Sequence, residues 1–508
     1  MEEFKNTPWT EEQAPQAKPG FPTKGRELIL AVLVLVLSIA LCNCIFYAGF
    51  NLGFVVCGLG ILAATVIYLL RSGKKPSRYA GALLILSAVI IVSFLRSNDG
   101  FVKFMMVCFL TVAVNVALAL TAGKNRRDPA GVSSLLDAPR TFFMLGVGEA
   151  GNSFRGLAEA RKNLSGKGKA GSAVLLGLVL AVPVLAVMVP LLTSADAAFD
   201  GLLSLLPPFR TQEFFASVLL GALLFPVMYT RCTALVHGPA PAPASKARTN
   251  YMNRITVITL TSAVCALYGV YLLSQLAYFV GGFSGILPEG YSMAEYARRG
   301  FFEMATLCGI NLGLIALAIG LVKKEPAAPL ALRLECLFIG LITLFLVVSA
   351  SAKMGLYIGT YGLTRLRVLT EVIMVFLGLA TVMVCVWLFV PKFAYMKAVL
   401  LLALVMGAAV SWADVDTVVA HYNVRAYQSG ALDSVDVWYL TGLSDGAVPY
   451  LQELTQDQDP QVRDTAMKCL AWRNVEDPDI RGWNYTTAQA VEILEGYVVE
   501  DSEPTFTT

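Results

Sequence analysis

Long apolar runs separated by short polar segments dominate this chain. A membrane-spanning helix needs roughly 20 apolar residues, because each residue adds about 1.5 Å toward a hydrocarbon core about 30 Å thick. Eleven runs approach this length, although the third, sixth and eleventh are short and leave a count of ten to twelve open. The runs are 28–46, 52–70, 79–95, 104–121, 173–192, 214–229, 255–280, 301–322, 334–352, 368–390 and 398–413. The pattern predicts an all-α, polytopic membrane protein with about eleven spans.

The composition agrees with this prediction. Of the 508 residues, 56% are hydrophobic and only 15% are charged, whereas soluble domains contain about 25% charged residues. A water-soluble protein of this size could not cover its surface with so few charges. Soluble, coiled-coil and disordered classes are therefore excluded, and the lipid bilayer is the first expected partner.

Positive charge is unevenly distributed among the segments between the spans. The leader 1–27 and every second connection after it contain 26 Lys and Arg residues, against 8 in the alternate connections. Connections rich in Lys and Arg stay in the cytoplasm. We therefore expect a cytoplasmic leader at 1–27, a transmembrane domain over 28–413 and a basic cytoplasmic loop at 122–169. Within that loop we expect an amphipathic helix with Phe154, Leu157 and Leu164 roughly on one side, which leaves Arg155, Arg161 and Lys162 available to anionic headgroups.

The segment 414–508 differs in character, with 17 Asp and Glu residues against 5 Lys and Arg. Asp459 followed by Pro460 is a helix-start signal, and it predicts a helix that ends near Trp472. With a helix over 447–454, this one resembles a HEAT-type helix pair. We expect a small acidic helical domain, extracytoplasmic if the number of spans is odd and cytoplasmic if it is even. Its charge could serve partner binding or solubility alone.

Ionisable residues in or beside the spans are the candidate functional residues, because charge is costly there. The first seven runs contain no Asp, Glu, Lys or Arg, whereas Glu303, Glu335 and Glu371 lie in the next three. Two of these, Glu303 and Glu371, follow an arginine by four residues, a spacing that allows ion pairs along one helix face. Such pairs could simply reduce the cost of charge at the interface. Alternatively, they could surround an anionic lipid or metabolite, because the planar guanidinium suits phosphate and carboxylate. The predicted substrate-binding residues are Arg298, Arg299, Glu303, Arg365, Arg367, Glu371 and, in the preceding outer loop, Asp196.

Other chemistry finds little support in the sequence. Two glycine patterns, at 146–151 and 166–171, match a dinucleotide fingerprint by letter, but neither lies between a strand and a helix as that site requires. The chain has only two histidines, His237 and His421, too few for a histidine-rich metal site. We therefore expect no catalytic set, no metal, no cofactor and no nucleic-acid partner.

Five segments occur in an order that resembles a known family. They are Thr193–Phe199, Tyr296–Glu303, Tyr361–Arg367, Asp414–Arg425 with His421-Tyr-Asn423, and Trp483-Asn484. Together they resemble the bacterial multi-pass membrane family called domain of unknown function 4173, allied to 4153, over roughly 80–490. The resemblance implies a protein of the bacterial cytoplasmic membrane, and it implies no activity that could be transferred to any residue.

Two functional hypotheses of different classes follow. In the first, the protein is a non-enzymatic envelope scaffold or sensor that contacts an envelope protein through its outer loops and C-terminal domain. In the second, it is a transporter or lipid-handling protein that binds an anionic substrate near the outer ends of spans eight and ten. An envelope enzyme using Asp196 or Glu303 as an acid or base has the least support, because no nucleophile–base pair or metal site accompanies these residues.

Overall fold

A computed structural model describes residues 20–125, 137–162, 211–239, 252–282, 301–322 and 329–497 except 391, 474 and 476, with scattered positions over 177–196. These residues form helices and turns, and the described part of the chain also contains an isolated β-bridge between Met252 and Val322. The prediction of an all-α fold is confirmed.

Helices lie at ten of the eleven predicted spans. Nine of those in the described part of the chain are long and apolar enough to cross a bilayer, and α3 is shorter. The predicted span 173–192 lies mostly outside the described residues. The helices up to residue 413 are α1 (Gly25–Tyr47), α2 (Leu52–Arg71), α3 (Arg78–Ser93), α4 (Gly100–Ala122), α5 (Asp137–Gly146), α6 (Ala150–Lys162), α7 (Thr211–His237), α8 (Arg254–Gly282), α9 (Phe301–Leu321), α10 (Leu330–Tyr361), α11 (Arg365–Phe389) and α12 (Tyr395–Ala413).

Several of these helices extend past the apolar runs and so include charged residues. The Asp99 Oδ1 atom accepts a hydrogen bond from the Val102 amide at 3.0 Å and starts α4 at Gly100, which places Lys103 in the first turn. In the same way Glu27 belongs to the first turn of α1. At these ends the helices are longer than the apolar runs, because polar caps extend the helix beyond its apolar part.

The long helices pack in two groups. One hydrophobic core draws on α1–α4, α7 and α12 and includes the fully buried Leu69, Leu83 and Phe94. The other core draws on α8–α11 and includes Ile339 and Met374. Because α12 contacts both α3 and α11, it joins the two groups into one bundle.

The amphipathic helix predicted in the basic loop has its apolar face against protein. The ring of Phe154 on α6 lies 6.1 Å from the ring of Phe225 and 6.2 Å from the ring of Tyr229, both on α7. Leu157 packs against a small apolar cluster that contains the same Tyr229. The apolar side of this helix is therefore covered by α7, and contact of Arg155, Arg161 and Lys162 with lipid headgroups stays a prediction. Leu164 lies outside the described residues.

Five further helices follow α12: α13 (Val415–Gln428), α14 (Val437–Thr441), α15 (Val448–Leu454), α16 (Pro460–Trp472) and α17 (Tyr485–Leu494). We call them the C-terminal helices. Asp459 caps α16 by accepting from the Gln461 amide at 2.8 Å, so the predicted helix start is confirmed. Leu451 and Leu470 lie in their core, which also takes up Val102 and Val410 from the bundle.

The C-terminal helices pack on the end of the bundle opposite the one where α1 begins. The Leu52 amide, in the α1–α2 turn, donates to the Trp483 carbonyl at 3.2 Å, and the Tyr485 amide donates to the Leu95 carbonyl, after α3, at 2.8 Å. At the other end, the Phe21 amide, before α1, donates to the Asn152 carbonyl on α6 at 2.9 Å. This relative placement agrees with an odd number of spans, and which end faces the cytoplasm stays a prediction.

Candidate functional site

Charged side chains collect where the bundle meets the C-terminal helices. We define this junction cluster by seven residues: Asp99, Lys103, Arg365, Asp414, Asp416, Asp445 and Arg473. They come from the N-terminal ends of α4, α11 and α13, from the residue that connects α12 to α13, from a 3₁₀ turn at Asp445–Ala447 and from the residue after α16. Four carboxylates thus face three basic groups, most of them buried.

Arg365 and Asp416 form the closest ion pair of the cluster. The Arg365 Nε atom donates to Asp416 Oδ1 at 2.7 Å, and Nη2 donates to Oδ2, which makes the pair bidentate. Asp416 is 0% exposed, and its Oδ2 atom also accepts from the Ser444 amide at 2.7 Å. The Arg365 amide donates to the Tyr439 hydroxyl at 2.9 Å. The first residue of α11 is therefore bonded to two parts of the C-terminal segment, α13 through Asp416 and α14 through Tyr439.

Asp445 makes a second connection of the same kind. Its carboxylate accepts from Asn98 Nδ2 at 3.1 Å, from Thr487 Oγ1 at 2.6 Å and from Arg473 Nη2 at 3.2 Å. Arg473 also donates to main-chain carbonyls of Thr441 and Leu443. Asp445 therefore joins the α3–α4 turn to α17 and to the residue that follows α16.

Lys103 is the most deeply buried cation of the cluster, at 3% exposure. Its ammonium donates to Asn51 Oδ1 at 2.6 Å, and the same oxygen accepts from Asn484 Nδ2 at 3.3 Å. Nearby, Asp99 Oδ2 lies 3.6 Å from Arg365 Nε and has no hydrogen-bond partner. Burial raises the pKa of the Asp99 carboxyl, and the charge of Asp416 acts in the same direction.

Asp414 has an unusual backbone and an incomplete set of hydrogen bonds. Its φ of 55° is the one positive value at a non-glycine position in the described part of the chain, a region that Asp and Asn tolerate better than most residues. The Oδ2 atom accepts from Thr417 Oγ1 at 2.5 Å, whereas Oδ1 is buried without a partner. Burial raises the pKa of this carboxyl to about 6, and the neighbouring Asp416 and Asp99 also raise it.

A further polar contact holds the α10–α11 turn against α13. The Asn423 side chain accepts from the Leu363 amide at 2.6 Å and donates to the Leu363 carbonyl at 2.8 Å. Gly362, in the left-handed region at φ 73°, lets the turn approach Asn423 this closely. Tyr361–Arg367 and Asp414–Arg425, two of the segments that carry the family resemblance, therefore meet at this junction.

Of the residues predicted to bind substrate, the structure brings Arg365 into the junction cluster. Arg367, one turn later, donates to the carbonyl of Tyr361 at 3.2 Å and to that of Gly362, and it lies 4.2 Å from the ring centroid of Tyr357. Both guanidinium groups are thus bonded to groups of the protein itself.

Among the described residues, the structure joins none of the other predicted ones to these two. Glu371 has one buried carboxylate oxygen with no hydrogen-bond partner, and Glu303 is exposed on α9. The Asp196 amide donates to the Leu192 carbonyl at 3.0 Å. Arg298 and Arg299 lie outside the described residues, so the substrate site stays a prediction. The third acidic residue, Glu335, accepts from the Ser262 hydroxyl at 2.6 Å and from that of Thr261.

Sequence reasoning missed most of the junction cluster. A local signal exists for Asp99, because Asp directly before an apolar run is a capping pattern, and it would have placed Lys103 inside the helix. No local signal joins Asp445 or Arg473 to the bundle, since that contact depends on how the C-terminal helices fold back. In the described part of the chain, no group of three or more His, Cys, Asp and Glu side chains is arranged to hold a metal ion.

Comparison with protein families gives one match. The family model described as Domain of unknown function (DUF4153) matches residues 81–454, a range that contains every junction-cluster residue except Arg473. The match is to the allied family, and the finer assignment to family 4173 is not shown. No curated protein and no solved structure matches the chain. The chain is therefore an integral membrane protein that belongs to the DUF4153 family.

Proposed function

We propose that the protein is a non-enzymatic sensor or scaffold of the bacterial envelope, in which the C-terminal helices and the adjoining end of the bundle act as one unit. The observation that carries this proposal is the bidentate pair between Arg365 and the fully buried Asp416. A buried ion pair with further hydrogen bonds favours one defined arrangement of the groups it joins. A signal received by the C-terminal helices would therefore reach α11 directly.

The side of the membrane is part of the proposal. The excess of Lys and Arg in alternate connections supports a cytoplasmic leader at 1–27. Since the C-terminal helices pack on the opposite end of the bundle, we place the acidic domain 414–508 outside the cytoplasmic membrane. An envelope protein is the partner that such a position makes accessible.

The test is purification of the full-length protein from native membranes in mild detergent, followed by mass spectrometry of what co-purifies. For a sensor or scaffold, a stoichiometric protein accompanies the wild type, and its binding is weakened or lost in Asp416→Ala, which removes the ion pair between α13 and α11. The matched control is Glu453→Ala, which removes a solvent-exposed pair with Arg425 on the same helices. If removal of residues 430–508 leaves every complex unchanged, the proposal is wrong.

A transporter or lipid-handling protein is the second candidate, and Glu371 is the observation that favours it. A buried carboxylate oxygen without a hydrogen-bond partner inside an apolar helix is costly, and such residues commonly mark transport pathways. This candidate predicts an anionic lipid or metabolite that co-purifies with the wild type and is lost in Arg367→Ala. A sensor tolerates Arg367→Ala, because the guanidinium of Arg367 is bonded to carbonyls at the end of α10 and stacks on Tyr357 there, away from the Arg365–Asp416 pair.

A further inference from the structure

Asp414 lies at the point where the bundle becomes the C-terminal domain. It ends α12 and precedes α13, and it is 2% exposed. Its Oδ2 atom is hydrogen-bonded to Thr417, while Oδ1 faces the protein interior with no donor. An acceptor buried without a donor costs free energy as long as it stays ionised. A proton on this carboxyl would remove that cost and supply a donor.

Several charged groups of the junction cluster lie around Asp414 and Lys103. Asp99 and Lys103 belong to the start of α4, Asp416 to α13 and Asp445 to the 3₁₀ turn, and each acts electrostatically on Asp414 or Lys103. Arg365 of α11 is occupied by Asp416, and Arg473 by Asp445. With Asp414 ionised, four buried carboxylates face three cations. With Asp414 protonated, the numbers are equal.

A second unpaired oxygen occurs in the same cluster. Asp99 Oδ2 has no hydrogen-bond donor, and the nearest cation is Arg365 at 3.6 Å. Two carboxylates that each have one buried oxygen without a donor, and that repel each other, favour the uptake of one proton. Because these residues are not arranged to hold a metal ion, the proton is the ligand that this geometry suits.

We infer that Asp414 is a proton-binding site, and that its protonation tightens the contact between the C-terminal helices and the bundle. As a sensing role this rests on the proposed function, since it names acidity on that side of the membrane as the signal. The coupling is direct: Asp416, two residues later, holds Arg365, and a Cβ atom placed on Gly446 would lie 2.7 Å from Asp414 Oδ2. When Asp414 is protonated, it no longer repels Asp416 and Asp99. This change acts on the contact of Asp416 with Arg365 and on the contact of Asp414 with the turn at Gly446.

The direction follows from linkage. The carboxyl of Asp414 has a pKa of about 6 when docked, against 3.8 as its ordinary value. Docking is therefore most favourable below about pH 4, and this gain is lost as the pH rises through 6. A shift of about two units corresponds to a change of roughly 100-fold in the docking equilibrium.

The experiment uses the full-length protein in lipid nanodiscs and infrared difference spectroscopy, which detects the carbonyl stretch of a protonated carboxylic acid. Titration from about pH 8 to about pH 4 should show one such band appearing with a midpoint near 6. Asp414→Asn should abolish this band and still fold, because Asn tolerates the left-handed backbone. The exposed Asp433→Asn is the matched control and should retain the band. Lys103→Met should move the midpoint to higher pH, because it removes a nearby positive charge.

Hydrogen exchange then measures the coupling. The Ser444 amide, bonded to Asp416 Oδ2, should gain protection as the wild type is acidified, after correction for intrinsic exchange rates. In Asp414→Asn its protection should be high at every pH. If the wild type shows no acid band in this range, or Asp414→Asn keeps it, the proton site is refuted whatever the partner experiment gives. An intact titration combined with partner binding that ignores pH would instead support the site and contradict the sensor function.

Discussion

The ion pair between Arg365 and Asp416 permits a quantitative test of how the C-terminal helices are held. The perturbation is Asp416→Asn, which keeps the size of the side chain and removes its charge. Asp416 accepts two hydrogen bonds from Arg365 and one from the Ser444 amide, and it is fully buried. Removing one partner of a buried pair typically costs about 3–5 kcal/mol, because the other charge is left uncompensated.

Partial exposure of Arg365 lowers this expectation. Its side chain is 31% exposed, so water can solvate the guanidinium once Asp416 is neutral. Asp99 Oδ2, at 3.6 Å, also retains part of the electrostatic attraction. We therefore expect Asp416→Asn to destabilise the docked C-terminal helices by about 2–4 kcal/mol, and a cycle with Arg365→Met to give a coupling energy of about 1–3 kcal/mol.

The assay is pulse proteolysis of the full-length protein in nanodiscs across a urea series, with cleavage in the C-terminal helices as the readout. The control pair is Arg425 and Glu453, which are joined at 2.8 Å with exposures of 55% and 34%. A surface pair contributes about 0–1 kcal/mol, so Glu453→Gln should change little. If Asp416→Asn costs no more than Glu453→Gln, the buried pair does not hold the domain and our reasoning is refuted.

Three further predictions concern the same junction. Gly446→Ala should destabilise the C-terminal helices by about 1–3 kcal/mol through overpacking, because the new Cβ atom would press on Thr417 and Asp414. Thermal unfolding should show this loss. The control Gly442→Ala should be tolerated, because the nearest atom to its new Cβ would lie at an ordinary contact distance of 3.4 Å. Asn423→Ala should cost about 2–3 kcal/mol, because both main-chain polar groups of Leu363 lose their partner, and equal stability of the variant in the same urea series would contradict this. The raised pKa of Asp414 predicts that the free energy of unfolding falls by up to about 3 kcal/mol between about pH 4 and about pH 7. In Asp414→Asn the free energy of unfolding should lack this dependence on pH. If the two proteins show the same dependence, the assignment to Asp414 is contradicted.

The fold class and most helix positions were accessible from sequence because a membrane imposes them. Backbone groups in lipid must bond within their own helix, so an apolar run of the right length leaves little choice of structure. Helix ends were less accessible, as Asp99 shows: a polar cap moved the start of α4 outward and brought Lys103 into it. The α16 boundary was predictable for the converse reason, since Asp459 and Pro460 act through local backbone geometry.

The junction cluster was inaccessible because it is assembled over long distances in sequence. Arg365 was singled out by its place near the end of a span, but its partner Asp416 is 51 positions away. Asn98 and Asp445 are 347 positions apart. Charge and spacing suggested an open anion site around Arg365 and Arg367, whereas packing directs both arginines to groups of the protein itself. Tertiary contacts of this kind have no signature in a single sequence.

Hydrogen exchange of the full-length protein in native-lipid nanodiscs tests the central claim most directly, namely that the C-terminal helices are docked on the bundle. The Tyr485 and Thr486 amides donate to the carbonyls of Leu95 and Arg96 in the bundle. The account predicts slow exchange at both amides in the wild type and much faster exchange in Asp416→Asn. Exchange in the wild type at the rate of an unstructured peptide would contradict docking, and with it the proposal that the domain and the bundle act as one unit.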